Sequence, residues 1–160
     1  MKNIALVAHD SRKGELIEWV EFNKEKLKNC ELYATGTTGR LIEEQVFTHE
    51  HIDETNQTTI KTIEKKINKL KSGPLGGDSQ IGTMIVEGKI DCLIFFCDNL
   101  IIQGHNNDVL GLSRLASLYN ISYATNRTTA DMIISSPLFN NDDYKPIIPS
   151  CIEKYANRKL

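Results

Sequence analysis

The order of apolar segments constrains this chain more than any other feature. Four short runs, IALVA (4–8), ELYAT (31–35), LIFF (93–96) and ISYAT (121–125), are dominated by apolar residues. Runs of that length suit strands covered on both faces, because a strand with one wet face alternates apolar with polar. Between and after them lie segments with helical spacing. These are GELIEWVEFNKEKL, with Leu16, Trp19 and Val20 on one stripe, then GRLIEEQV, SQIGTMIVEGK, VLGLSRLASLY and TTADMIISS. Strands that alternate with helices pair in parallel through right-handed crossovers. The expected fold class is therefore α/β, a doubly wound, mostly parallel sheet of Rossmann-like type. On this reading the single tryptophan, Trp19, is core rather than a platform for a ligand. KPIIP (145–149) is a candidate edge strand, although Pro146 and Pro149 lack the ladder donor.

In such a sheet ligands sit outside the carboxyl ends of the strands. The sequence places HDSRK, TGTTG, CDNL and NRTT there, one after each strand, so polar chemistry gathers at a single edge. The 160 residues are expected to form one domain, 1–160. A formal charge of −2 provides no broad cationic field, which argues against wholesale nucleic-acid or membrane binding. No apolar run approaches the roughly 20 residues of a membrane span. MKNIALVAHD meets charge too soon for a signal peptide and reads as the first strand. Cys30, Cys92, Cys97 and Cys151 form no Cys-x-x-Cys pair and are read as buried or idle thiols of a reducing cytoplasm.

Residues 45–71 break the rhythm. QVFTHEHIDETNQTT is polar, and IKTIEKKINKLK is read as an amphipathic surface helix with Ile60, Ile63, Ile67 and Leu70 on its packed stripe. The lysines at 61, 65, 66, 69 and 71 either form a solvated outer face or mark an anion site, the first being the simpler reading. His49 and His51 are most simply exposed.

TGTTG (35–39) puts three threonines and two glycines between a strand and a helix. Backbone N–H groups at a helix start, with small hydroxyl donors beside them, outline a phosphate cradle. Helix capping by Thr37 or Thr38 is the alternative. In HDSRK, Lys13 lies about one turn into the next helix, within reach of an anion, whereas Asp10 either caps that helix or joins the site. Asp98 ends the third strand, and GHNND brings His105 and Asp108 into the loop after it. SGPLGGD (72–78) strips side chains from one turn and then supplies Asp78, as close backbone approach to a ligand would require. A carboxylate base beside a neutral, polarising histidine suits removal of a proton alpha to a carbonyl. A small phosphorylated ketone meets every part.

The combination IALVAHD, LYATGTTG, SGPLGGD, GKIDCLIFFCD, RLA and ATN-x-x-TAD resembles methylglyoxal synthase along nearly the whole chain. The resemblance implies a Rossmann-like subunit of a homohexamer that converts dihydroxyacetone phosphate to methylglyoxal. Inorganic phosphate is then the product and a candidate effector, with neither metal nor organic cofactor. Asp78 matches the catalytic base and His105 the group that polarises the substrate oxygen. Asp10, Asp98 and Asp108 match acidic positions that organise the site or shuttle protons. Lys13, Thr35, Thr37, Thr38, Ser72 and Gly73 match phosphate-contacting positions, and His9 and Gly36 join them as candidate substrate-binding residues.

The chain departs from that pattern in three places. The link from TGTTG to SGPLGGD is longer than usual, at 32 residues (40–71). Cys-Asp-Asn stands where Trp-Asp-Pro is familiar, and QGHNND replaces a proline-rich context around His105. Arg158 sits where the family often has an arginine reaching a neighbouring subunit's phosphate site. A non-catalytic effector-binding domain, like the regulatory domain of carbamoyl-phosphate synthetases, is the alternative function.

Overall fold

The structure, a computed structural model, describes residues 1–53, 55, 57–100 and 106–158, with the side chains of 106–108 outside that description. The first strand, β1 (Asn3–Ala8), is buried from Ile4 onward and alternates its side chains between two cores. A 3-10 turn (Asp10–Arg12) leads into α1 (Lys13–Phe22), then α2 (Lys24–Leu27), β2 (Glu31–Ala34) and α3 (Gly36–Gln45). Next come β3 (Thr48–Asp53), β4 (Thr58–Ile63) and β5 (Asn68–Lys69), and a second 3-10 turn (Gly73–Leu75) opens α4 (Gly77–Val86). The chain continues through β6 (Cys92–Phe96), α5 (Asn106–Leu118), β7 (Ser122–Ala124), α6 (Arg127–Ser135) and α7 (Ser150–Ala156).

Five strands form one sheet in the order β5-β2-β1-β6-β7, with every neighbouring pair parallel. One face carries Leu16, Trp19, Ile42 and Ile134 from α1, α3 and α6 against Ile4, Leu6 and Phe96. The other carries Ile81, Ile85 and Leu112 from α4 and α5 against Ala5, Val7 and Phe95. Each fully buried side chain of this size contributes about 1.5–3 kcal/mol. Trp19 is core, as expected, and its indole N–H donates to Asp131 Oδ1 at 2.8 Å. The strand order reverses between β1 and β6, which defines the switch point where such sheets bind ligands. Among the described residues no helix is long and apolar enough to cross a membrane. Cys30, Cys92 and Cys97 are buried and all four cysteines are free. Burial pushes the Cys92 thiol up to about 12 and that of Cys97 to about 11.

The structure overturns the helix expected within residues 45–71. β3 and β4 form an antiparallel hairpin, paired from Thr48 with Ile63 to Asp53 with Thr58. TTIKTI satisfies both a helical stripe and a two-residue alternation, and its threonines and isoleucines favour the extended chain. Ile60 and Ile63 consequently lie exposed on the hairpin, whereas Ile67 is buried and Leu70 packs at the edge of a core. Asn68 and Lys69, also assigned to that helix, add β5 to the sheet. KPIIP forms no strand. Of the lysines, Lys61 pairs with Glu50 at 2.6 Å and Lys69 with Glu43 at 2.5 Å, which accords with a solvated face.

At the neck of the hairpin the Glu64 N–H donates to the Phe47 carbonyl at 2.8 Å. A two-residue Asn-Gly turn can therefore replace residues 48–63, because this pair is already spaced as the flanks of such a turn. The shortened chain should fold with its stability changed by no more than about 1 kcal/mol, since the segment removed buries almost nothing. Urea unfolding compared with the parent checks this.

Candidate active site

A pocket of about 330 Å³ opens at the carboxyl edge of the sheet beside the switch point. It is lined by His9, Asp10, Lys13, Thr35, Thr37, Ser72, Gly73 and Asp78, all singled out from the sequence, together with Val7, Ala8, Pro74 and Phe95. Thr38 is buried and accepts a hydrogen bond from the Thr35 hydroxyl at 3.4 Å. Gly36 backs the site: its N–H donates to the Lys71 carbonyl at 3.3 Å, and a Cβ there would lie 3.4 Å from Ser72 N. His105 lies outside the described residues. Asp108 falls on α5, with its side chain outside them.

Helix starts turn toward the pocket without the caps that would use up their donors. The N-cap of α3 is Thr35, not Thr37 or Thr38, and its side chain makes no capping bond. The N-cap of α4 is Gly76, which has no side chain to offer; Asp78 is the second residue of the helix rather than its cap. First-turn amides have no intrahelical acceptor, so those of Thr37 and Thr38 remain donors beside the pocket. The partial positive charge of a helix start adds to them.

SGPLGGD takes its shape from three separate glycine requirements. Gly76 has φ +94°, the left-handed region that L side chains rarely adopt. A Cβ on Gly77 would lie 2.0 Å from the Lys71 carbonyl oxygen, which no side chain can satisfy. A Cβ on Gly73 would lie 3.3 Å from each Asp78 carboxylate oxygen, so Asp78 folds over the bare backbone of Gly73. The turn is closed by Ser72, whose carbonyl accepts from the N–H groups of Leu75 at 2.9 Å and Gly77 at 3.0 Å.

On the opposite wall, His9 is buried with its ring edge on to Phe95, 5.2 Å between centroids. Its Nδ1 accepts the Asp98 backbone N–H at 2.8 Å. A backbone amide can only donate, so the ring hydrogen resides on Nε2. That atom is buried and finds no hydrogen-bond partner among the described residues. Asp98 is thus joined to the pocket through His9. Its carboxylate also accepts from the Ser11 hydroxyl at 2.5 Å and the Leu100 N–H at 3.0 Å. Lys13 donates to Asp10 at 2.5 Å. That hydrogen bond holds the Asp10 carboxyl below its ordinary value, leaving a carboxylate at neutral pH. Among the described residues no group of three metal-ligating side chains converges.

Sequence reasoning missed Ser11, Pro74, Phe95 and Gln80. Gln80 acts from α4, its Oε1 accepting the Lys71 N–H at 2.8 Å. None of the four stands in a pattern that distinguishes it from an ordinary turn, core or helix residue.

Fold and pocket together define an α/β protein in which two helix starts, a carboxylate and an imidazole meet at one pocket on the carboxyl edge of the sheet. The chain belongs to the MGS-like domain family, whose model matches residues 15–125. It is 47% identical to the methylglyoxal synthase of Maridesulfovibrio salexigens, over 100% of this chain and 98% of that one. The methylglyoxal synthase of Proteus mirabilis is 49% identical, over 99% of this chain and 92% of that protein. The crystal structure of methylglyoxal synthase from Elizabethkingia anophelis superposes with a TM-score of 0.81 at 39% identity, covering 99% of this chain and 92% of that one.

Gly77→Ala should destabilise the chain by about 1–3 kcal/mol, because the new methyl forces the Lys71 carbonyl aside. Gly14→Ala, where nothing lies within 4 Å of the added methyl, should change stability little or raise it by up to about 1 kcal/mol. Equilibrium unfolding of the two variants checks the contrast.

Proposed function

We propose that this chain is a methylglyoxal synthase, a lyase that converts dihydroxyacetone phosphate to methylglyoxal and inorganic phosphate. One observation carries the reading: Asp78, His9 and the Thr35–Ser72 cradle line the same pocket. Its volume lies at the small end of the roughly 300–1,000 Å³ range of ligand pockets, fitting a three-carbon phosphate. The relatives named above, similar along nearly the whole chain, support the same activity.

In this reading the phosphate docks on the first-turn amides of α3, the Thr37 and Ser72 hydroxyls and the Lys13 ammonium. Asp78 removes a carbon-bound proton next to the ketone. Its carboxylate is close to the cradle because glycine at 73 leaves it room. Negative charge that develops on the ketone oxygen is met by donors already in place, His9 Nε2–H among them, which need no reorganisation as the charge forms. His105 is the second candidate donor. The enediolate then expels phosphate when the leaving carbon–oxygen bond stands out of the enediolate plane, an orientation imposed by holding the phosphate rigidly. Asp10 keeps the Lys13 ammonium at the pocket mouth, while Asp98 orients His9, and Asp108 completes the acidic set.

The protein works in the cytoplasm as a single-domain subunit of a homohexamer. The observation in favour of assembly is that α7 buries none of its side chains against its own chain. Arg158, just beyond α7, stacks its guanidinium 3.5 Å from the Tyr155 ring and so lies where a neighbouring subunit could meet it. Inorganic phosphate, as product, competes for the same cradle.

Incubation of the purified protein with dihydroxyacetone phosphate should release methylglyoxal and phosphate in equal amounts. Binding without either product would point to an effector-binding domain instead. Asp78→Asn should abolish turnover yet bind a phosphorylated enediolate mimic within about tenfold of the parent, or 1.4 kcal/mol. Near-normal turnover by this variant rules out Asp78 as the base. Thr37→Ala removes one charge-assisted hydrogen bond, worth roughly 1.5–3 kcal/mol, and should weaken substrate binding by about one to two orders of magnitude. It should also raise solvent-deuterium exchange into recovered substrate relative to methylglyoxal formation, because a loosely held phosphate lets the enediolate reprotonate.

A further inference from the structure

The exits of β1 and β6 are latched across the switch point by a chain of hydrogen bonds that begins at Ser11. The Ser11 hydroxyl, in the middle of the 3-10 turn, does not bond its own backbone. It donates to Asp98 Oδ2 at 2.5 Å, spanning 87 positions of sequence. The other carboxylate oxygen accepts the Leu100 N–H at 3.0 Å, folding residues 98–100 into an Asx turn. That turn aims the Asp98 N–H at His9 Nδ1, 2.8 Å away, while the His9 N–H donates to the Phe96 carbonyl at 3.2 Å. Phe95 packs edge on against the imidazole.

We propose that Ser11 is a positioning residue for the reaction: by seating Asp98 it holds His9, a residue of the pocket wall, in the Nε2–H tautomer. This rests on the reading of the pocket as a lyase site. Ser11 touches neither the pocket nor the substrate, being absent from the lining. The physical point is that the two neutral tautomers of an imidazole differ little in intrinsic energy, so one well-aimed backbone donor at Nδ1 selects between them. Loss of the Ser11 donor removes one of the bonds that hold the Asp98 carboxylate and so loosens the turn that aims the Asp98 amide at Nδ1. His9 then also populates the Nδ1–H form, which carries a lone pair rather than a donor at Nε2.

The test pairs kinetics with nitrogen-15 spectra of His9 in Ser11→Ala and Ser11→Thr. Ser11→Ala should lower kcat about tenfold, the loss expected of a hydrogen bond to a charged group. Binding of a phosphorylated enediolate mimic should stay within about twofold, because the cradle is untouched. Its His9 signals should change from a single Nε2–H tautomer to an average of two, and Ser11→Thr, which keeps the hydroxyl, should restore both kcat and the single tautomer. A Ser11→Ala protein whose His9 remains wholly Nε2–H overturns the proposal, as does one whose kcat is unchanged. Parent protein that makes no methylglyoxal, yet whose His9 tautomer still depends on Ser11, refutes the lyase reading while leaving the latch in place.

Discussion

The backbone of Lys71 is the point on which the site depends. Its carbonyl occupies the space where any side chain on Gly77 would have to lie and accepts the Gly36 N–H, while its own N–H is held by Gln80. The backbone of one residue at the exit of β5 thereby ties the start of α3 to the start of α4. Ser72, immediately after it, closes the turn that brings Asp78 over Gly73. Slack at Lys71 would separate the start of α3 from Asp78. The glycines of SGPLGGD meet three demands of the chain itself, room for the Lys71 carbonyl at Gly77, a left-handed backbone at Gly76 and room for Asp78 at Gly73, so the bareness of the turn is a packing requirement.

Electrostatically the pocket is a balance rather than a basin of one sign. Helix starts supply roughly half a positive charge each, and Lys13 adds a full one. Against them stand Asp10, paired with Lys13, and Asp78 in the first turn of α4, where the helix start itself favours a carboxylate. A site built only to hold an anion would not place an acid beside its cradle. His9, whose Nδ1 accepts the Asp98 amide and whose ring hydrogen therefore sits on Nε2, adds no charge that would pair with Asp78.

The long link between the two loops leaves this machinery alone. The hairpin of β3 and β4 leaves the body of the protein at the Phe47–Glu64 pair, and Phe47 and Ile67 on either side of it are buried in the same core. The chain thus extends outward and returns to nearly the same place before β5 begins. A lengthened sequence between two functional loops carries no displacement of either, because the extra residues close on themselves.

Four of the five sheet strands, their helices and the edge at which chemistry gathers were legible in the sequence, since continuous apolar runs and helical stripes are local signals that burial on both faces enforces. Thr35, Thr37 and Lys13 were legible too, as polar residues in the segments that follow strands, and Asp78 as the acid that ends a glycine-rich turn; all four line the pocket. What local pattern left open was decided by tertiary contacts. TTIKTI fits either period equally well; the cross-strand partner in THEHID settled it, and Asn68 and Lys69 became a strand only by lying beside Tyr33 and Ala34. The tautomer of His9 and the part played by Ser11 were likewise invisible, because each is set by Asp98, on another strand some ninety residues away. Apolar periodicity along the chain determined which elements form and which edge is polar. Only the folded backbone decided which donor meets which acceptor, because a hydrogen bond depends on distance and direction in space and leaves no period in the sequence.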